Sequence, residues 1–298
     1  MTATPSAPIV ALMSPGDMGH SVGALLRRNG VRVITALEGR SQRTLDLARA
    51  AGIEDVGDDE TMVESADMLL SIVAPAEAEA LAARLAPAIE RTNSKLLYAD
   101  CNAVAPATSE HIAKVIEAAG ARFVDAGIIG PPPRDHSGST RFYASGRNAE
   151  ELAGLAAFGL DVRVIGDRIG EASALKMCYA ALNKGTIALM TGVAVMAERF
   201  GVAPAFVEEL AQSQEAALRR MRQQVPGMVP KAHRWIGEME EIAKSFDAAD
   251  LSPAVFQGIA EIYRLVAERP IAAASPEDWS RTGLSYDQVV AALSAQEK

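Results

Sequence analysis

The sequence predicts an α/β domain with a parallel sheet, followed by an all-α domain. Three observations carry that prediction. Short apolar runs alternate with stretches of helical periodicity as far as about Gly166. A turn containing two glycines, Gly16 and Gly19, joins the first apolar run to the first helical stretch. Beyond Gly166 only long helical patterns follow, with no strand-like run between them.

The elements can be justified in order. Ile9-Val10-Ala11-Leu12-Met13 is a continuous apolar run bounded by Pro8 and Ser14, as expected of a strand buried on both faces. The helical stretch Met18 to Arg28 stops at Asn29-Gly30. Val31–Thr35 reads as a second strand, and Gln42–Ala51 as a helix closed by Gly52. Met68–Val73 is another buried strand, with a helix from Ala76 to Ala88. Leu96–Ala99 and Arg122–Asp125 supply two more strands around a helix from Ala105 to Ala119. Strands alternating with helices imply a parallel sheet covered on both faces. Glu171 to Phe200 then reads as one long helix, apolar almost all round, that belongs to an interior or a subunit interface. Helices follow at Pro204–Gln224, Lys231–Phe246, Pro253–Ala267 and Ser285–Lys298. The domain boundary falls near residue 168, giving domains 1–168 and 169–298.

Composition narrows the function classes. The chain has 298 residues, enough for two separate cores, and only 5% are aromatic, so aliphatic side chains must fill them. The net charge is −9 and no segment concentrates Lys and Arg, which argues against nucleic acid as a partner. Cys101 and Cys178 are far apart, lack metal-ligand spacing and read as small core residues of a protein in the reducing cytoplasm. Met1–Pro8 has neither a basic start nor a long apolar segment, so it is not read as a signal peptide. The uncharged apolar stretch Gly185 to Ala197 is too short to span a membrane.

The first turn carries the chemistry. Ser14-Pro15-Gly16-Asp17-Met18-Gly19 matches the second and third glycines of the dinucleotide fingerprint, with Ser14 at the first. Gly16 would let the backbone approach a pyrophosphate, and Gly19 would let the helix pack closely on the sheet. This makes the α/β domain a Rossmann domain. The second strand leads into Glu38-Gly39-Arg40-Ser41-Gln42-Arg43. Arg40, Ser41 and Arg43 form a candidate clamp for the 2′-phosphate of NADP, because guanidinium binds phosphate through paired hydrogen bonds. Glu38 is the opposing signal, since a carboxylate there would accept from the ribose hydroxyls of NAD.

With these residues in view, the chain resembles the β-hydroxyacid dehydrogenase superfamily, which includes 3-hydroxyisobutyrate and 6-phosphogluconate dehydrogenases. Arg40-Ser41 is similar to the family's Arg-Thr after the second strand. Asp100-Cys101-Asn102-Ala103 resembles its D-x-S-T segment, and Asp125-Ala126-Gly127-Ile128-Ile129-Gly130-Pro131 its D-A-P-V-S-G-G segment. Gly170 to Lys176 resembles the glycine and catalytic lysine that open the interdomain helix. Pro230 to Ala243 looks like a branch with a phosphogluconate-dehydrogenase-like C-terminal domain.

The resemblance implies a cleft between domains, a small-molecule substrate and a homodimer or homotetramer. It gives Lys176 the role of proton donor or acceptor, a role a desolvated lysine beside a nicotinamide cation can fill. It places Ser14, Gly16, Asp17, Met18, Gly19, Arg40, Ser41, Arg43, Val73, Ala74, Pro75 and Asn102 at the cofactor, NADP or alternatively NAD. It places Asn102, Gly130, Tyr179, His233 and Glu240 at the substrate.

Four departures concern anion binding. Ala180 stands where the family has Asn, Ile129 where it has Ser, Pro131 where it has Gly, and Glu240 where it has Lys. The lost groups suggest a substrate other than a small 3-hydroxy acid. An imine reductase on the same scaffold is the alternative, because Glu238, Glu240 and Glu241 would suit a cationic iminium. A non-catalytic protein that senses NADP is the alternative of another class. His136, beside the Pro131-Pro132-Pro133 run, reads as a loop residue.

Overall fold

The computed structural model describes residues 7–13, 15–133, 140–274 and 276–295. The chain divides into two compact units, Met1–Met177 and Cys178–Lys298. The first holds one eight-stranded sheet. Its strands are β1 Ile9–Met13, β2 Arg32–Thr35, β3 Glu54–Asp55, β4 Met68–Ser71, β5 Leu97–Asp100, β6 Arg122–Ile129, β7 Arg141–Ser145 and β8 Asp161–Gly166. Their spatial order is β3-β2-β1-β4-β5-β6-β7-β8. Neighbours from β3 across to β6 run parallel. β7 and β8 are reversed: β7 pairs antiparallel with β6, and β8 runs parallel beside β7.

The apolar runs are continuous because both faces of the sheet are covered. Val10 and Leu12 of β1 pack in one core with Leu70, Leu97 and Val124. Ala11 and Met13 pack in the other, with Leu69, Tyr98 and Phe123. Alternate residues of a strand point to opposite faces, so neither face can be polar. The strand order reverses at β1, whose neighbours are β2 and β4. A crevice at the carboxyl ends of the strands is the general ligand position in such sheets.

Several elements of this unit lie outside the predicted set, among them the short helix Ala149–Ala153. β3 has two residues, and the helix Asp59–Ser65 that follows has seven, both too short for a periodic signal. β8 is an edge strand in which Asp161 and Arg163 interrupt the apolar residues. β7 pairs with the end of β6, and this extends β6 from the expected Asp125 to Ile129.

The long helix spans Glu171–Arg199. The division between units falls within it, after Met177, rather than ahead of it near residue 168. Its first turns belong with the sheet because Ala172 and Ser173 hydrogen-bond to side chains of β7 and β6. By length and composition this helix could cross a membrane, a test that core helices of soluble proteins also meet. The expectation of too short an apolar stretch therefore applies to 185–197 and not to the helix as a whole.

The second unit continues with helices Ala203–Ser213, Glu215–Met228, Ala232–Asp247, Ala254–Ala267, Pro276–Thr282 and Tyr286–Ser294. The single helix predicted over Pro204–Gln224 is two, broken at Gln214 (φ −144°, ψ 50°). No Gly or Pro marks the break. Its effect is to turn Leu210 of one segment and Leu218 and Met221 of the next into one cluster with Ala194 and Val290.

Leu70 is fully buried in the central strand β4. Leu70→Ala should cost about 2–5 kcal/mol, read as a lowered denaturant midpoint with unchanged slope.

Candidate dinucleotide site and the lysine of the long helix

β1 ends at Met13, and Gly16 caps the helix Asp17–Arg28 without any side-chain hydrogen bond. A helix start capped this way leaves its first N–H groups for another acceptor. Helix N-termini favour anions through those groups and the aligned peptide dipoles. Gly19 is buried, and Met18 packs on the core of that face. These features fit the pyrophosphate of a dinucleotide. Ser14 and His136 lie outside the described residues.

The clamp expected after β2 is only partly assembled for phosphate. Arg43 donates to Asp17 Oδ1 at 2.6 Å, which ties it to the fingerprint turn. Ser41 caps the helix Gln42–Ala50, accepting from the Thr44 amide at 3.3 Å. Arg40 is half-buried, and its pKa is lowered first by burial and next by the charge of Arg84, with Asp59 and Glu77 opposing. A cavity of about 430 Å³ lies beyond the end of β2, lined by Glu38, Asp59, Arg84 and Arg91 among others. Arg84 pairs with Asp59 at 3.0 Å and Arg91 with Glu60 at 3.2 Å. Arg84 escaped the sequence reading because it sits on the helix Ala78–Thr92, far from any fingerprint.

Asn102 is 2% exposed, and its side chain is spent inside the protein. Its Oδ1 accepts from the Val73 amide at 2.7 Å, and its Nδ2 donates to Ser71 Oγ at 2.8 Å and to Asp100 Oδ1. Both Nδ2 protons, expected to orient substrate, have acceptors within the protein. Asn102 instead fastens the segment that leaves β4, Val73-Ala74-Pro75, to the end of β5.

Lys176 Nζ donates to the carbonyl of Ile128 at 2.6 Å, which brings the lysine to β6. Of the apolar neighbours expected on its helix face, Ala172 and Ala180 are buried, whereas Leu175 and Tyr179 are exposed. The start of this helix is held by Asp125 of β6, which is fully buried. Asp125 Oδ2 accepts from the amides of Gly170 at 2.9 Å and Ser173 at 3.0 Å, and from Ser145 Oγ at 3.1 Å. Its Oδ1 accepts from Ser173 Oγ at 2.6 Å and Ser109 Oγ at 3.0 Å. Gly130, the next site candidate on this segment, has φ +125°, a backbone conformation that suits glycine.

In the helical unit Glu238, Glu240 and Glu241 each pair with a cation. Glu240 binds Arg264, Glu238 binds Lys184, and Glu241 binds Lys244 at 2.6 Å. The Glu240 carboxylate, expected at the substrate, serves the Arg264 guanidinium in this structure. The Lys184 ammonium also lies 4.8 Å from the Trp235 ring centroid. His233 is exposed, and its pKa is lowered first by partial desolvation and then by Arg234.

Sheet order, helix start and glycines together define a Rossmann-type dinucleotide-binding domain. Residues 10–156 match the NAD binding domain of 6-phosphogluconate dehydrogenase, and residues 197–266 match a domain of unknown function, DUF1932. The chain thus carries an NAD binding domain of the 6-phosphogluconate dehydrogenase type followed by a DUF1932 domain. An uncharacterised 28.5 kDa protein of Methanothermus fervidus is 28% identical over 81% of this chain and 92% of its own length. A conserved protein of unknown function, noted for structural similarity with 3-hydroxyacid dehydrogenases, is 29% identical with a TM-score of 0.64. That match covers 87% of this chain and 97% of the other. The 3-hydroxyisobutyrate dehydrogenase of Mycobacterium tuberculosis shares the fold, with a TM-score of 0.68 at 17% identity over 97% of this chain and 100% of its own. This kinship supports a dehydrogenase or reductase using a nicotinamide dinucleotide.

Asn102→Ala removes the acceptor of the Val73 amide and strands that donor. Dinucleotide binding, followed by fluorescence titration, should weaken about tenfold, the equivalent of one lost hydrogen bond of roughly 1.4 kcal/mol.

Proposed function

We propose that this chain is an NADP(H)-dependent oxidoreductase of the β-hydroxyacid dehydrogenase type, acting between an alcohol and its carbonyl. The observation that carries the reading is Lys176, partly buried and hydrogen-bonded to the strand segment that the superfamily uses around its substrate. The dinucleotide supplies or takes up the hydride. Lys176 Nζ gives a proton to the alkoxide oxygen in reduction and accepts it in oxidation. Tyr179, one turn further along the same helix and exposed, is a substrate contact in this reading. The neutralised state of Glu238, Glu240 and Glu241 favours a carbonyl over a cationic iminium, which would need a carboxylate left to it.

The choice of NADP rests on Arg40. Its strongest electrostatic neighbour is a second guanidinium, Arg84, an arrangement that an arriving 2′-phosphate would relieve. NADPH and NADH should be titrated against the protein and against an Arg40→Ala, Arg43→Ala double variant. We expect an NADPH preference of at least tenfold that disappears in the variant. Equal or tighter binding of NADH would hand the ribose to Glu38 and end the NADP assignment.

We further propose that the chain self-associates through its long helix. Leu175, Tyr179, Leu182, Leu189 and Met196 are exposed there, with Phe200 just beyond its end. Their spacings of three, four or seven residues form one stripe, the pattern that helices pair through. The wild type should scatter light as a dimer or tetramer, and Leu182→Glu with Leu189→Glu as a monomer. A monomeric wild type would overturn this part.

A further inference from the structure

The strand β6 offers three consecutive contacts to the start of the long helix. Asp125 collects the Gly170 and Ser173 amides, fixing where the helix begins. Ile128 offers its carbonyl to Lys176 Nζ. Between them Gly127 faces the same helix turn as Asp125, because residues two apart on a strand share a face. A Cβ built on Gly127 would lie 2.9 Å from Lys176 Cβ and 3.2 Å from the Ala172 carbonyl oxygen. Real Cβ atoms essentially never come as close as the first distance, the second is tighter than most real contacts, and neither obstacle can swing away. One is the backbone of the helix, and the other is the first atom of the lysine side chain.

We infer that Gly127 and Asp125 are positioning residues for Lys176, acting through the helix start rather than on any ligand. The bare Cα of Gly127 sets how deeply the helix docks against β6. The carboxylate of Asp125 sets its register, and the two together bring Nζ to the Ile128 carbonyl. Lys176 makes further interactions, but these two residues fix the origin from which its side chain extends. Asp125 is more than a buried stabiliser on this view. Its hydrogen bonds, also shared with Ser109 of the helix Pro106–Ala118 and Ser145 of β7, lock one end of the helix while Gly127 admits it.

The inference bears on catalysis only through the proposed role of Lys176, so its test separates the two. The variants are Gly127→Ala and, in case that one folds poorly, Asp125→Asn, which keeps the side chain's volume but replaces one accepting oxygen with a donor. The first readout is competitive acetylation by limiting acetic anhydride at neutral pH. Labelling at Lys176 is compared by mass spectrometry with labelling at exposed Lys114 of the same molecule. The second readout is NADPH affinity, and the third is turnover of whichever carbonyl the wild type reduces, with Lys176→Ala alongside.

Gly127→Ala is expected to label about tenfold faster at Lys176, because Nζ displaced from the Ile128 carbonyl loses the hydrogen bond that holds it there. NADPH affinity should stay within twofold of wild type, and kcat should fall more than KM rises. Unchanged labelling of Lys176 in both folded variants would overturn the positioning role, even if Lys176→Ala abolishes turnover. Faster labelling in the variants with full turnover in Lys176→Ala would uphold the positioning role and sink the catalytic reading instead.

Discussion

Much of the first unit depends on one buried carboxylate. Asp125, on β6, accepts five hydrogen bonds from four residues, Ser109, Ser145, Gly170 and Ser173. Burying a charge is costly unless it is fully hydrogen-bonded, and a carboxylate offers enough lone pairs to accept all five. The result couples a helix packed on the sheet, the reversed strand β7 and the beginning of the long helix. Without that anchor the strand β6 and the helix would still be hydrophobic, but the hydrogen bonds that fix where the helix begins would be lost. Hydrophobic burial is non-directional, and a chemical group placed at the end of a long side chain needs direction.

The same division between burial and direction explains how much was legible in the sequence. The parallel strands β1, β2, β4, β5 and β6 could be read because strands covered on both faces are uninterrupted apolar runs. The edges were harder. β8 mixes Asp161 and Arg163 with valines, and β3 has only two residues, so neither shows a run. The break at Gln214 left no trace because no Gly or Pro produced it; tertiary packing of Leu210 and Leu218 did.

At the site, residues carrying a local motif were found, and residues acting through space were not. Gly16, Gly19 and Lys176 lie in recognisable turns and helix starts. Arg84 and the Ile128 carbonyl come from elements with no motif of their own, and each meets its counterpart only in the folded chain. Asn102 was found, but its internal partners Val73 and Ser71 were not foreseen. A polar residue at a strand end reads equally as a ligand contact or as an internal fastening, and only the hydrogen-bond partners distinguish them. The pairing of Glu240 was hidden in the same way, since its counter-ion Arg264 is twenty-four positions away.

The sheet also has two free margins, and each is defended differently. At one margin β3 has only two residues, with Glu54 held by Arg32 at 2.8 Å. At the other, Arg163 of β8 binds Asp161 at 2.8 Å and lies over the Tyr143 ring, and the pairing with β7 slips between Ala144 and Ser145. A long, flat, uncharged margin would act as a template on which another chain could add a strand. Brevity at one side, and charge with irregular pairing at the other, deny that template to neighbouring molecules. An eight-stranded sheet as apolar as this one is thereby kept from growing into fibrils.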